Sequence, residues 1–131
     1  MLAAGVAAVI GLVAVAPAWG DDGATSSTLR AAAGRLVAAE LARDGAEVCA
    51  VLNAPLTRSV GGRTCAERWG ARSRAMTATA AGREALRRDL RAAASAPVTI
   101  EGEHGTIALP VALLGGHSRF YWTANCWMLT R

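Results

Sequence analysis

The amino-acid sequence predicts an α+β domain in which three to four short helices pack on a small antiparallel sheet of about four strands. Between residues 28 and 94, apolar side chains recur at helical spacing between capping and breaking residues. Residues 98–130 are instead rich in β-branched and aromatic side chains, with turn signals between them. A third observation is the pair Cys49 and Cys65, which lie sixteen residues apart in two of the predicted helices.

Residues 1–20 are predicted to be a signal peptide or a membrane anchor. The run from residue 2 to residue 19 is apolar and uncharged, and Ala16 and Ala18 have the spacing at which a secretory signal is cleaved. The run also reaches the lower length limit for a membrane-spanning helix, and a buried core helix is a third interpretation. The first two interpretations export the rest of the chain. Residues 21–27 are predicted to be a linker, and residues 28–131 a single α+β domain.

The first helix is predicted from Leu29 to Arg43, with Ser26, Ser27 or Thr28 as its N-cap. Arg30, Glu40 and Arg43 are expected on faces away from the core. Asp44 follows the helix, and Gly45 is expected to end it with left-handed backbone geometry. The expected apolar stripe consists of Leu29, Ala32, Ala33, Leu36, Val37 and Leu41.

Two further helix starts lie on either side of a loop. Asp44, followed three residues later by Glu47, resembles a capping box for a short helix that ends before Pro55. Thr64 and Glu67 form a full capping box, which places Cys65 in the first turn of a third helix. Trp69 lies one turn further on the same face, where its ring is expected beside the sulfur.

Cys49 and Cys65 are predicted to form one disulfide, because an exported chain is oxidised and the Gly61-Gly62 hinge lets the chain fold back between them. Cys126, the third cysteine, is predicted to be a buried free thiol in a strand. An intermolecular bridge, or pairing of Cys126 with either of the others, is the alternative.

The last predicted helix runs from Ala80 to Ala94, with Leu86, Leu90 and Ala93 or Ala94 facing inward and Glu84 paired with Arg88. A turn through Gly102 and Gly105 joins the first two predicted strands, and a turn at Ala124-Asn125 joins the last two. The predicted strands are Val98–Glu101, Thr106–Leu109, Ser118–Thr123 and Cys126–Thr130.

The C-terminal strands carry most of the bulky side chains. Trp122 is predicted to be buried between sheet and helices together with at least one of Phe120, Trp127 and Met128, and alternation places Tyr121 on the opposite face. The same aromatic residues are also candidates for the lining of an apolar ligand pocket. The candidate pocket residues are Trp69, Phe120, Trp122 and Trp127.

The composition argues against several classes of function. The net charge is +4, but the basic residues, all arginine, are interleaved with acidic ones and lack accompanying aromatics, so nucleic-acid binding is not expected. No cofactor loop or metal spacing is found. His104 and His117 are the two histidines, and glycines beside them favour exposed turns. As a base, His104 would need Glu101 or Glu103; as ligands, both histidines with a glutamate would hold zinc.

Three stretches resemble small exported actinobacterial proteins of unknown role, which are similar in plan to cone-shaped nuclear transport factor 2-like (polyketide-cyclase-like) domains. The stretches are residues 44–52, 64–67 and 120–129. The resemblance implies helices packed on an antiparallel sheet. It implies no catalytic residue, because the carboxylate and Asp–Tyr motifs of the catalytic members have no match here.

Two hypotheses of function follow. The first is a secreted, or externally anchored, non-enzymatic domain that binds a partner protein or a small apolar ligand between sheet and helices. Contact with a membrane is expected only if the N-terminal segment stays uncleaved. The alternative is a small hydrolase or isomerase that uses a histidine and a carboxylate. An imidazole within hydrogen-bond reach of a carboxylate inside a pocket would favour the second.

Overall fold

The computed structural model describes residues 23–52, 54–59, 61–109, 117–124 and 126–130. The predicted signal peptide or anchor, residues 1–20, lies outside them. Within the described ranges, no helix is both long enough and apolar enough to cross a membrane. The α+β class is confirmed: helices come first and a four-stranded antiparallel sheet of order β1-β2-β3-β4 follows. The helices are α1 Ser26–Leu41, α2 Gly45–Ala50, the single turn α3 Ala54–Thr57, α4 Cys65–Thr77 and α5 Ala80–Ala93.

Helix α1 begins earlier than the sequence predicts, because its N-cap is Thr25 and not one of the next three residues. The Thr25 side chain accepts a hydrogen bond of 3.2 Å from the Thr28 backbone, and the Thr28 hydroxyl accepts one of 3.0 Å from the Thr25 backbone. This reciprocal pair satisfies two N–H groups that would otherwise lack partners at the helix start. Ser26 and Ser27, assigned to the linker, therefore lie in the helix.

The role predicted for Gly45 is wrong. The residue with left-handed geometry after α1 is Arg43, with φ of 58°. Gly45 is instead the buried first residue of α2, where α2 touches α4. A Cβ atom at Gly45 would lie 2.1 Å from the Ala66 carbonyl oxygen and 2.7 Å from the Gly70 nitrogen. Glycine is required here because two helix backbones meet, and Asp44 caps α2 as predicted.

Helix α5 buries a different set of side chains from the one predicted. Leu86 and Ala93 are buried as expected, but Leu90 is 37% exposed and Asp89 takes the inward position with 0% exposure. The inward residues Leu86, Asp89 and Ala93 are thus spaced three and four residues apart on one narrow face of α5. Glu84 pairs with Arg91 at 3.0 Å and with Arg87 at 4.0 Å, and not with the predicted partner Arg88.

The sheet pairs its strands in sequence order, and the predicted hairpin turn after β3 is confirmed, with Ala124 at φ 50°. Gly102 lies in the first turn at φ 62°, but Gly105 lies inside β2. A Cβ atom at Gly105 would lie 2.7 Å from a Leu29 methyl carbon and 3.0 Å from the Trp127 ring. Gly105 therefore lets α1 approach the sheet. The strands are β1 Val98–Glu101, β2 His104–Ala108, β3 His117–Thr123 and β4 Cys126–Leu129.

The aromatic residues of the sheet form the centre of the core. Trp127 and Phe120 are 0% and 1% exposed, which confirms the prediction that at least one of Phe120, Trp127 and Met128 is buried. Trp122 is only partly buried, and its ring meets the Trp127 ring edge-on at 5.3 Å across the β3–β4 pair. Trp127, not Trp122, is thus the main anchor between sheet and helices.

The predicted disulfide is present. Cys49 in α2 and Cys65 at the start of α4 are bonded, with their Cα atoms 6.3 Å apart, and Cys126 is a buried free thiol as expected. Trp69 is partly buried and donates a hydrogen bond of 3.3 Å from its indole to the Leu56 carbonyl. A disulfide of this kind is compatible with an extracellular location.

Candidate binding site on the outer face of the sheet

Large side chains fill the space between the sheet and α1. Leu29, Ile107, Phe120 and Trp127 are each at most 1% exposed there. Of the candidate pocket residues, Phe120 and Trp127 belong to this core, and Trp69 and Trp122 are partly buried at its margin. Their role in lining an apolar pocket stays a prediction.

A groove of about 510 Å³ lies on the opposite, outer face of the sheet. Antiparallel pairing sets Glu101, His104, Tyr121 and Met128 in one row across the four strands. A second row contains Thr99, Thr106 and Arg119, and the next residue, Thr130, joins it. The groove is lined by Glu101, His104, Gly105, Thr106, Arg119, Phe120, Tyr121 and Thr130.

Two rings form a platform in the first row. The imidazole of His104 and the phenol of Tyr121 lie 5.2 Å apart with a tilt of 49°. The Tyr121 hydroxyl donates a hydrogen bond of 3.1 Å to the Glu103 carboxylate. This bond, together with the negative charge of Glu103, raises the pKa of Tyr121 above its ordinary value. The phenol therefore stays a neutral donor, fixed in orientation by the β1–β2 turn.

Arg119 brings a positive charge to the groove. The Arg119 carbonyl accepts hydrogen bonds from the Thr130 backbone at 2.9 Å and from the Thr130 hydroxyl at 3.0 Å, which fixes this part of β3. The ion pairs of the described residues use other arginines: Arg35, Arg72, Arg87 and Arg91. Within the part of the chain that the structure describes, the exposed Arg119 side chain makes no ion pair, so its N–H groups are available to solvent or to a ligand.

The two histidines have different outcomes. His104 lines the groove beside Glu101, but within the described part of the chain it makes no hydrogen bond to a carboxylate. Glu103, the other acid proposed for it, binds the Tyr121 hydroxyl instead. The side chain of His117 lies outside what the structure describes. No group of three or more His, Cys, Asp or Glu side chains is placed to hold a metal among the described residues.

Sequence reasoning missed Arg119 and Thr106 as members of a site. The alternation of β3 already puts Arg119 on the same face as Tyr121, so one part of the signal was available. The other part is the strand register, which pairs Arg119 with Thr106 and Tyr121 with His104. That register depends on where the turn after Glu101 ends. Because the sequence analysis assigned Gly105 to this turn and not to β2, it did not identify the register.

Comparisons with protein families, with curated proteins and with solved structures find no match to this chain. The resemblance to nuclear transport factor 2-like domains therefore stays a prediction. The fold class rests on the described helices and strands themselves.

Proposed function

We propose that this chain is an exported, non-enzymatic binding domain that holds a small organic acid on the outer face of its sheet. The observation that carries the proposal is Arg119, an exposed residue that lines a groove next to the His104–Tyr121 platform. A guanidinium is well suited to a carboxylate, which it binds through paired, charge-assisted hydrogen bonds. The two rings then offer a surface for the apolar body of the ligand.

Export is supported by two independent features. The uncharged apolar run before residue 20 has the composition of a signal or an anchor. The Cys49–Cys65 disulfide is of the kind that persists in oxidising compartments. N-terminal sequencing of the protein from culture supernatant tests this part, and we expect the mature chain to begin between Ala16 and Asp22.

Binding fits the groove better than catalysis does. General acid–base chemistry needs an imidazole or carboxyl group within hydrogen-bond reach of its partner. His104 makes no such bond to a carboxylate in the described structure, and Glu103 is engaged by Tyr121. The ligand class follows from the charges: Arg119 attracts one anionic group, whereas Glu101, two strands away on β1, repels a second one.

A titration followed by ¹H–¹⁵N NMR tests the proposed site. Benzoate and phenylacetate are added separately, with neutral benzamide as the matched probe. We expect saturable shifts of the Thr106, Arg119 and Tyr121 amides with the two acids, and at least about tenfold weaker binding of benzamide, which corresponds to about 1.4 kcal/mol.

Arg119→Gln should weaken the binding of both acids to the level of benzamide. Arg88→Gln is the matched control, since Arg88 is an exposed arginine on α5. Equal weakening by both variants would mean that net charge, and not the groove, attracts the acids. Absence of saturable shifts in the wild-type protein would overturn the proposed ligand class.

A further inference from the structure

The groove on the outer face of the sheet carries opposite charges on two of its strands. Arg119 lines it from β3 and Glu101 lines it from β1, with β2 between them. Both residues are exposed. Among the residues that the structure describes, neither side chain takes part in an ion pair. The groove therefore has a basic side and an acidic side, and the two charges are not paired with each other.

The strand register sets the distance between these two charges. Glu101 lies in the row that contains His104 and Tyr121, and Arg119 lies in the neighbouring row with Thr106. Adjacent strands are about 4.8 Å apart and two residues span about 6.7 Å along a strand, so about 12 Å separates the Cα atoms of Glu101 and Arg119. Side chains stand roughly perpendicular to a sheet, so this separation leaves room for a ligand between the two charges.

The groups around Glu101 do not cancel its charge. Glu103, in the turn that follows β1, is a second acid, and its carboxylate accepts the hydrogen bond of the Tyr121 hydroxyl. His104 lies opposite Glu101 in the register, and the two make no ion pair in the described part of the chain. Negative charge thus collects where β1 meets β2, on the side of the groove away from Arg119.

We propose that the ligand of this groove is a zwitterion of the ω-amino acid class, with a carboxylate at one end of its body and an ammonium group at the other. The inference rests on the proposed binding of an organic acid through Arg119 and adds a second charged group to that acid. Arg119 binds the carboxylate, Glu101 attracts the ammonium group, and the body of the ligand lies alongside the His104 and Tyr121 rings. An α-amino acid does not match this arrangement, because its ammonium group is held next to its carboxylate, where Arg119 repels it.

A matched pair of probes isolates the contribution of the ammonium group. 4-(Aminomethyl)benzoate and 4-(hydroxymethyl)benzoate share a ring, a carboxylate and a shape, and only the first carries the ammonium group. In ¹H–¹⁵N NMR titrations of the wild-type protein, the first should bind about threefold more tightly, which is the scale of one exposed ion pair. Phenylglycine, with its ammonium group beside the carboxylate, should bind no more tightly than phenylacetate. An equal gain for phenylglycine would show that the groove does not select the separation of the charges.

Glu101→Gln should abolish the advantage of 4-(aminomethyl)benzoate and should leave 4-(hydroxymethyl)benzoate bound at least as tightly as before. Glu84→Gln is the matched control, because Glu84 is an exposed acid on α5, outside the groove, and this variant should retain the advantage. Retention of the advantage in Glu101→Gln would overturn the proposal. Its loss in both variants would overturn it too, since net charge would then attract the ammonium group.

The same titrations distinguish this inference from the proposed function on which it rests. If both benzoates bind through Arg119 with equal affinity, the ligand is a simple acid, so the zwitterion is wrong and the acid-binding site stands. If neither benzoate gives saturable shifts, the acid-binding site itself is wrong and the zwitterion is rejected with it.

Discussion

The indole nitrogen of Trp127 donates a hydrogen bond of 2.9 Å to the hydroxyl oxygen of Thr28, ninety-nine residues earlier in the chain. Both side chains are buried, with Trp127 at 0% and Thr28 at 3% exposure. The Thr28 hydroxyl in turn donates to the Gly23 carbonyl at 2.8 Å. A single hydroxyl therefore joins the last strand, the first helix and the chain leading into that helix.

Thr28→Val should destabilise the domain by about 1–3 kcal/mol, because it leaves the buried indole N–H of Trp127 without an acceptor. Valine preserves the shape, so the loss is chiefly that of hydrogen bonding. Urea unfolding measures the effect. Thr99→Val, at an exposed position of β1, is the control, and it should change the free energy of unfolding by no more than about 0.5 kcal/mol. In a Thr28→Val, Trp127→Phe cycle, additive effects would show that the bond does not couple the two residues.

Two glycines in helices should respond to alanine in opposite directions. At Gly34 in α1 the new Cβ atom would lie 3.9 Å from the Ala93 Cβ atom, an ordinary contact, so Gly34→Ala should stabilise by about 0.5–1 kcal/mol through helix propensity. At Gly45 the same atom would lie 2.1 Å from a backbone oxygen, so Gly45→Ala should destabilise by several times that amount. Thermal melts of both variants check the pair. A Gly45→Ala variant as stable as the wild-type protein would mean that α2 and α4 separate easily.

The sequence predicted what local chemistry decides. Caps at Asp44 and Thr64, the turn at Ala124 and the pairing of Cys49 with Cys65 all depend on a few neighbouring residues and are present in the structure. Close packing between distant elements was not predictable in this way. Gly105 appeared to be a turn residue, but it lies in β2, where α1 and Trp127 leave no space for a side chain.

The burial of two acidic side chains, Glu40 and Asp89, was not predicted, for a related reason. Asp89 follows Leu86 by three residues and precedes Ala93 by four, which is the spacing of an inward position, and Glu40 follows Val37 and Leu36 in the same way. The helical pattern therefore contained them. Glu40 was placed on a face away from the core because charged side chains are rarely buried without a partner, and its partner, Arg72, is supplied by another helix.

The capping box at the start of α4 gives the domain an acid-sensitive contribution. Hydrogen bonding with Thr64, first through its backbone N–H, lowers the pKa of Glu67. A lowered folded pKa gives stability that is present above the unfolded pKa and is lost as the pH falls through the folded pKa. Glu67→Ala should therefore reduce the loss of stability at acid pH.

Thr64→Ala tests the same box from its other side. It should cost about 1 kcal/mol, the usual loss for a threonine N-cap. Because the two side chains bond reciprocally, the double variant should be little less stable than Thr64→Ala alone at acid pH. Urea unfolding over a pH series measures all three proteins. If Glu67→Ala lost as much stability at acid pH as the wild-type protein does, Glu67 would not be the source of this loss.

The last prediction concerns the Cys49–Cys65 bond, which joins α2 to α4 across the same contact that Gly45 permits. In the chain-entropy model, closing a loop of this length stabilises a protein by about 3 kcal/mol. That is a large share of the roughly 5–15 kcal/mol of a typical domain. Cys49→Ala and Cys65→Ala should thus lower the melting temperature equally, and the double variant little further, since each single change already opens the loop.

Cys126→Ala is the matched control for these variants, because Cys126 is a buried cysteine outside the bond. It should behave as an ordinary small core substitution and lose about 1 kcal/mol or less. Peptide mapping without reduction identifies the linkage directly, and a fragment that joins Cys126 to either of the others would contradict it. Unequal losses for the two single variants would show that a thiol left behind, and not the open loop, sets the stability of the α2–α4 junction.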